Sequence, residues 1–213
     1  MNATDPDDSP TAASLAEAPT DHVAGDTRRP DPRTDALADV LATWAPRAEH
    51  LQTLRTEYLA YLAGGGTADR DASPQHLTAS TFVLSPDLRH VLLCYHRKGR
   101  FWVQLGGHIE PGDSSVAAAA EREAHEESGL TGLELAGLVP VDLDRHGLGD
   151  GFGRCAVHWD VGYVAFAAAD SVPVVSDESD DVAWWPVDAL PAEVPEQFVG
   201  RLTRVLAELS IDL

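Results

Sequence analysis

The chain has 213 residues, of which 35 are acidic and 15 basic, so its formal net charge at pH 7 is −20. A charge of this sign excludes a protein that binds nucleic-acid duplexes or anionic membranes through a general basic surface. We expect a cytoplasmic protein, because its two cysteines cannot form a disulfide scaffold, its N-terminus lacks an apolar signal sequence, and no apolar run approaches the roughly 20 residues of a membrane span.

The first third of the chain divides into three regions. Residues 1–33 are rich in Asp, Pro, Thr and Ala, which predicts a disordered tail. Residues 34–66 predict a helical extension, and residues 67–76 a polar linker. The extension is read as two helices separated at Pro46 and ended by three glycines, with apolar residues at helical spacing: Leu37, Val40, Leu41 and Trp44, then Leu51, Leu54, Tyr58 and Leu62.

The remainder, residues 77–213, predicts one layered domain of strands and helices. A helix is predicted over residues 114–128, and a last helix has one apolar stripe that includes Phe198 and Leu209. Strands that flank a central helix and precede a last one indicate an α/β domain with helices on both faces of a sheet. The predicted strands span residues 77–85, 90–96, 101–105, 133–141, 154–167 and 182–185, and Pro86-Asp87 predicts a hairpin between the first two.

Three glutamates share one narrow face of the helix predicted over residues 114–128. At 100° per residue, Glu126 and Glu127 lie about 60° and about 40° on either side of Glu123. They stand at the end of a helix that Gly129 terminates, where the helix dipole disfavours each anion by about 0.3–1 kcal/mol. A solvated acidic face is the ordinary interpretation of such a cluster. The unfavourable position instead favours a site for a hard divalent cation.

Neighbouring residues fit such a site. Arg122 stands four residues before Glu126 and can pair with it, which would hold the carboxylate in place. Gly106-Gly107 can bring bare backbone close to a ligand. Asp113 or Ser114 is the predicted N-cap of the helix. Small residues on one flank of the acidic face would let the helix approach a sheet closely: Ala117, Ala120 and Ala124.

These residues resemble the Nudix box, the loop–helix–loop signature of the Nudix hydrolases, written G-x5-E-x7-R-E-U-x-E-E-x-G-U with U a bulky apolar residue. Gly107 opens the motif, and REAHEESGL, from Arg122 to Leu130, closes it. There are three departures: Asp113 replaces the first glutamate, one extra residue precedes Arg122, and Ala124 stands at the first U. The resemblance covers residues 77–213 and implies a Nudix-type α/β/α sandwich with a mixed sheet.

The resemblance also implies a reaction. Water would attack a phosphorus of a pyrophosphate in a small substrate: a nucleotide sugar, an ADP-ribose-like compound or a modified nucleoside triphosphate. Mg²⁺, with Mn²⁺ as a substitute, would be held by Glu123, Glu126, Glu127 and the Gly106 carbonyl. Glu126 is then a candidate base and Arg122 a supporting catalytic residue. A further ligand or base is expected in the acidic loop 177–181, where Glu178 is chosen.

Substrate contacts are predicted just before the motif. Arg97, Lys98 and Arg100 stand within four positions, and Lys98 is the only lysine of the chain. They are read as a grip on the pyrophosphate, or alternatively as a charged hairpin tip that keeps a sheet edge soluble. Trp102 is either a stacking surface for a base or sugar, or part of the core.

Cys155, His158 and Asp160 raise the question of a zinc site. If all three lie on one strand, Cys155 and His158 point to opposite faces, which argues against zinc. His158 and Asp160 would share a face and could line a substrate pocket.

A second function remains open, namely a catalytically silent Nudix-fold module that binds a ligand or regulates a partner. Asp113 and the inserted residue favour it, whereas the complete set of Glu123, Glu126 and Glu127 opposes it. Assembly as a homodimer is also left open.

Overall fold

The computed structural model of the chain describes residues 31–175 and 179–210. Most of the tail predicted over residues 1–33, and Glu178, therefore lie outside the described residues. The elements in chain order are α1 (Pro32–Thr43), α2 (Glu49–Ala63), β1 (Gln75–Leu84), β2 (His90–His96), β3 (Phe101–Val103), β4 (Leu105–His108), α3 (Val116–Ser128), β5 (Asp142–Gly147), β6 (Val157–Phe166), β7 (Ser179–Pro186) and α4 (Phe198–Leu209).

All seven strands form one mixed sheet. Its main path runs β3-β2-β1-β6-β5, while β4 pairs with β1 and β7 with β2. The pair β1 and β6 is parallel, in a register that sets His76 beside His158 and Thr78 beside Asp160. The other pairs are antiparallel. The sheet is therefore mixed, as expected, and the predicted hairpin between β1 and β2 is present.

Helices cover both faces of the sheet. Successive side chains of β1 point to opposite faces, and each set packs against a different helical layer. Leu77 and Ala79 face the layer formed by α1, α2 and α3, whereas Phe82 and Leu84 face Phe198 of α4. The expected α/β/α sandwich is thereby confirmed. None of the helices in the described residues combines the length and the apolar character needed to cross a membrane.

The two N-terminal helices pack onto the sheet beside α3. Leu51 and Tyr58 of α2 are buried in one cluster with Trp159 of β6, and Tyr61 stacks on Trp159 with ring centroids 4.2 Å apart. The Tyr58 hydroxyl donates to the backbone carbonyls of Asp144 and Asp160, at 2.8 and 2.7 Å. The helical extension thus completes one helical layer.

Helix α1 begins at Pro32, inside the range predicted as tail. Asp31 caps it by accepting a hydrogen bond from the Arg33 amide (3.0 Å), and proline is favoured at the first helical position. The Arg33 guanidinium also donates to the Glu110 carbonyl (2.6 Å). Helix α2 ends at Ala63 with Gly64 as its C-cap, so the predicted glycine stop is confirmed.

Two truncations should differ in stability. Removing residues 1–30 should leave the melting temperature unchanged, because Asp31 and the cap of α1 remain. Removing residues 1–66 should expose Trp159 to solvent. Each apolar side chain that is no longer buried costs about 1.5–3 kcal/mol of folding free energy, so the protein should have a lower melting temperature and aggregate. Thermal unfolding and light scattering measure both. If the shorter protein stayed monodisperse with unchanged stability, the helices would be an independent appendage.

Three predicted strands need correction, and one strand was not predicted. Residues 133–141 form no strand but an irregular segment with a single bridge, Leu135 to Ala165, because Gly137 and Pro140 interrupt the pairing. Strand β5 was missed, since its one apolar residue, the buried Leu143, stands between Asp142 and Asp144. The range 101–105 is divided into β3 and β4. Strand β6 begins only at Val157, which places Cys155 before it.

Candidate active site

Helix α3 is positioned by a cap at each end. The Ser115 hydroxyl accepts a hydrogen bond from the Ala118 amide (3.0 Å), so Ser115 is the N-cap rather than the predicted Asp113 or Ser114. Gly129 ends the helix in the left-handed conformation (φ 64°), as predicted. At Ala120 the helix approaches β1 so closely that the Thr81 hydroxyl donates to its carbonyl (3.0 Å). The small residues of α3 therefore permit close packing, as expected.

Two of the three glutamates are buried against the end of β4. Glu123 and Glu127 are each only 6% exposed. The Glu127 carboxylate accepts a hydrogen bond from the Gly106 amide (2.8 Å) and lies 3.6 Å from the Cys94 sulfur. A Cβ atom at Gly107 would come within 2.7 Å of the Glu123 carboxylate carbon, so any side chain there would displace the Glu123 carboxylate. The geometry thus brings Glu123 and Glu127 to Gly106-Gly107.

Arg122 connects the third glutamate to this pair. Its Nη1 donates to Glu123 (3.0 Å) and to Glu126 (2.8 Å), so the predicted pairing of Arg122 with Glu126 is present. The Glu126 side chain is 52% exposed. Arg122 Nη2 also donates to the His108 carbonyl (3.0 Å). The guanidinium therefore fixes two carboxylates and the strand end together.

Asp113 is the remaining partner of Arg122. Its two carboxylate oxygens accept from Arg122 Nε (2.9 Å) and Nη2 (3.0 Å), and one also accepts from the Glu110 amide (2.7 Å). The hydrogen bond to Asp113, together with the nearby glutamates, raises the pKa of Arg122. Burial opposes ionisation of Asp113, yet Arg122 and the Glu110 amide hold its pKa below the usual value. Despite the inserted residue, Asp113 reaches the arginine.

The donor set at this helix end suits a hard divalent ion. Carboxylate oxygens of Glu123 and Glu127 lie beside the backbone of Gly106-Gly107, and Mg²⁺ prefers carboxylate and carbonyl oxygens. Gly107 has no side chain between the backbone and the Glu123 carboxylate. The residues present therefore fit a magnesium or manganese ion.

The predicted substrate residues belong to other elements than this helix. Arg97, Lys98 and Arg100 occupy the exposed turn between β2 and β3, and Arg97 pairs with Asp180 of β7 (2.7 Å). Trp102 is 9% exposed and makes edge-to-face contacts with other aromatic rings of the α4-side core. This burial favours the alternative that Trp102 packs in the core.

A buried polar cluster lies on the face of the sheet that α4 covers, opposite α3, and the sequence analysis did not predict that its residues meet. Asp160 of β6 is 4% exposed and accepts hydrogen bonds from Thr78 (3.0 Å) and Ser80 (2.7 Å) of β1. His158 and Asp160 share this face, as expected. The sequence did contain a signal for this cluster. His76, Thr78 and Ser80 alternate along a strand that was predicted only from its content of β-forming residues.

Arg201 of α4 forms ion pairs with the aspartates of this cluster. Its guanidinium donates to Asp142 and to Asp160 (2.5 Å) and lies 3.7 Å from Asp144. Burial raises the pKa of Asp142 to about 6. Against the effect of burial, Arg201 and Ser80 lower the pKa of Asp160. One arginine thus connects α4 to β5 and β6.

Comparison with known proteins agrees with this architecture. A family model described as NUDIX domain matches residues 74–209. A hydrolase of the NUDIX family from Clostridium perfringens is 25% identical, with a TM-score of 0.50 over 63% of this chain and 97% of that one. No curated protein sequence matches the chain significantly.

Two more distant structures share the fold. An Ap4A hydrolase from C. elegans is 18% identical, with a TM-score of 0.52 over 63% of this chain and 97% of that one. The dihydroneopterin triphosphate pyrophosphohydrolase of E. coli is 16% identical, with a TM-score of 0.51 over 64% of this chain and 96% of that one.

Proposed function

The chain belongs to the Nudix hydrolase family, and on this basis we propose that it hydrolyses a pyrophosphate bond in a nucleoside diphosphate linked to another moiety. The observation that carries the proposal is the burial of Glu123 and Glu127 against Gly106-Gly107. Two carboxylates at the negative end of a helix are costly in isolation, and a divalent ion would offset that cost.

Four oxygen donors would hold the ion: carboxylates of Glu123, Glu126 and Glu127 and the Gly106 carbonyl. The chemistry that Mg²⁺, or Mn²⁺ in its place, supplies when bound is neutralisation of phosphate charge and polarisation of a phosphoryl oxygen. Arg122 acts as a positioning residue, because it bonds to Glu123 and Glu126 and to the His108 carbonyl. Its contacts keep the carboxylates oriented while substrate enters and leaves.

Glu126 is the proposed proton acceptor. It is the most exposed of the three carboxylates, so a water molecule can reach it from solvent. In the proposed step, the water oxygen forms a bond to one phosphorus and the bridging P–O bond breaks. The water proton goes to Glu126, and the bond electrons leave with the departing phosphate.

The exposed turn between β2 and β3 is the proposed phosphate grip. Arg97 is paired with Asp180, whereas Lys98 and Arg100 project from the same turn into solvent. Cations in such a position would attract a polyphosphate to a protein whose overall charge is strongly negative. The proposed substrate is therefore a small anionic nucleotide.

The contacts of Asp113 argue against the catalytically silent alternative. That alternative depended on Asp113 and the inserted residue as departures from the motif. Asp113 nevertheless makes a two-oxygen contact with Arg122, so the arrangement around the glutamates is retained.

A turnover panel tests the proposal directly. ADP-ribose, a nucleotide sugar, a dinucleoside polyphosphate and an oxidised nucleoside triphosphate are incubated with the protein with and without Mg²⁺ or Mn²⁺. We expect at least one to yield a mononucleotide only when a divalent ion is present, with one oxygen from labelled water in a product phosphate. Binding of these compounds without any turnover would instead support the silent module.

A further inference from the structure

Four side chains with nitrogen and sulfur donors meet at one edge of the polar sheet face. They are His76 of β1, His108 at the end of β4, Cys155 in the loop before β6, and His158 of β6. One ligand atom from each lies within 4.8 Å of all the others. The ring centroids of the three histidines are 5.1 to 5.3 Å apart. No carboxylate belongs to this set, which is chemically distinct from the glutamate site on α3.

Strand register explains how the four residues meet. The parallel pairing of β1 with β6 sets His76 beside His158, and the antiparallel pairing of β1 with β4 sets His108 beside Thr78, two residues further along β1. Cys155 precedes β6, so strand alternation does not apply to it. The argument that Cys155 and His158 point to opposite faces was therefore wrong.

Two of the imidazoles have a buried ring nitrogen without a hydrogen-bond partner among the described residues. His76 is fully buried, and its Nδ1 lies 3.0 Å from the Ser73 carbonyl. Because a carbonyl only accepts, the proton stands on Nδ1 and Nε2 has the lone pair. Neither His76 Nε2 nor His158 Nε2 has a hydrogen-bond partner among the described residues. Leaving a buried polar atom without a partner is unfavourable, and a bound metal ion would remove that cost.

Burial also favours the neutral form of the histidines. Burial and the neighbouring imidazoles together lower the pKa of His108 to about 4 and that of His158 to about 3. The pKa of His76 is lowered as well, mainly by burial. The neutral imidazole is the form that binds a metal ion.

We propose that His76, His108, Cys155 and His158 form a structural Zn²⁺ site. Three imidazoles and one thiolate are a closed tetrahedral set for zinc, and they disfavour Mg²⁺. Zinc bond lengths of about 2.0–2.1 Å to nitrogen and about 2.3 Å to sulfur place tetrahedral ligands roughly 3.5 Å apart. Cys155 Sγ and His108 Nε2 are 3.7 Å apart, close to that separation.

Zinc binding would require small local changes. The Cys155 thiol releases its proton to solvent, and the ligand atoms close in by about 1 Å, which the loop before β6 allows. Arg70 Nη1 lies 3.3 Å from His108 Nδ1. Because arginine only donates hydrogen bonds, His108 Nδ1 is the acceptor in this contact. For His108 to bind through Nε2, its proton moves to Nδ1 and the exposed Arg70 side chain turns into solvent. The site would anchor His108, whose carbonyl bonds to Arg122.

Metal content and cobalt substitution test the site without reference to activity. Full-length protein is stripped with a chelator, reloaded with Zn²⁺ in excess Mg²⁺ to occupy the carboxylates, dialysed and measured by elemental analysis. We expect one zinc per chain and a higher melting temperature than in the stripped protein. Co²⁺ in place of zinc should give tetrahedral d–d bands and a thiolate charge-transfer band.

Two cysteine variants are matched for the test. Cys155→Ser should lose the cobalt–thiolate band and weaken zinc binding at least about tenfold, the scale seen even for residues that only support a ligand. Cys94→Ser, at the other cysteine, should retain both properties. Wild-type protein that retains no zinc, or a cobalt–thiolate band lost in Cys94→Ser but not in Cys155→Ser, would overturn the assignment. If Cys155→Ser does not fold, the wild-type stoichiometry and cobalt spectrum decide alone.

Discussion

Replacing Glu127 with glutamine should lower the turnover of a pyrophosphate substrate by at least about a hundredfold, equivalent to roughly 2.7 kcal/mol of transition-state stabilisation. The reason is that Glu127 is buried beside Gly106, where we propose that it holds the divalent ion. Glutamine has the same shape, and its side-chain oxygen still accepts from the Gly106 amide. The fold should therefore be retained while one negative charge is lost.

Stability measurements separate this role from a simple surface charge. Without divalent ions, Glu127→Gln should be as stable as the wild type or slightly more so, because an anion is removed from the helix C-terminus. The rise in melting temperature on adding Mg²⁺ should shrink, since an ion stabilises only the state that binds it. Steady-state kinetics and thermal unfolding at several Mg²⁺ concentrations provide both results.

Glu121→Gln is the matched control. Glu121 lies on the same helix, and six residues of helix place it about 120° away from Glu127. The substitution changes charge identically, so turnover and Mg²⁺ dependence should stay close to those of the wild type. Near-normal turnover in Glu127→Gln, with unaltered Mg²⁺ dependence, would remove Glu127 from the proposed site.

Replacing Arg201 with methionine should destabilise the protein by about 3–5 kcal/mol. Arg201 is 4% exposed and donates hydrogen bonds to Asp142 and Asp160, which are buried in the same cluster. Methionine fills a similar volume but leaves the two carboxylates without their cation in a region that water does not reach. Urea unfolding measures the loss. A change below about 1 kcal/mol would show that the cluster does not need its arginine.

Two further variants define the cause. Arg201→Lys retains the charge but not the planar fork that contacts two carboxylates at once, so an intermediate loss is expected. Arg204 lies on the same helix, but it takes part in none of the ion pairs found among the described residues, so Arg204→Met removes an arginine without breaking an ion pair. Its cost should remain below about 1 kcal/mol. Equal losses in Arg201→Met and Arg204→Met would indicate a general effect on α4 instead of this network.

Local patterns were sufficient for the helices and for the glutamate motif. The spacing of Glu123, Glu126 and Glu127 and the terminating Gly129 lie within two turns of one helix, so their relation depends on helical geometry alone. The same holds for the pairing of Arg122 with Glu126, four residues apart. Strand β2 was likewise predicted at its observed bounds, His90–His96, from a short run of β-forming residues.

Only the tertiary structure decided which distant residues meet. The register of β1 with β6 places His76 beside His158, and a shift by one residue would turn every side chain to the other face. The contact of Asp113 with Arg122 depends on the loop that precedes α3. Asp142 is buried where Arg201, from a helix near the end of the chain, donates a hydrogen bond to its carboxylate. Such relations depend on long-range packing, which no local periodicity encodes. The sequence by itself therefore determined the helix of the glutamate motif, whereas the fold determined the His/Cys cluster and the buried arginine network.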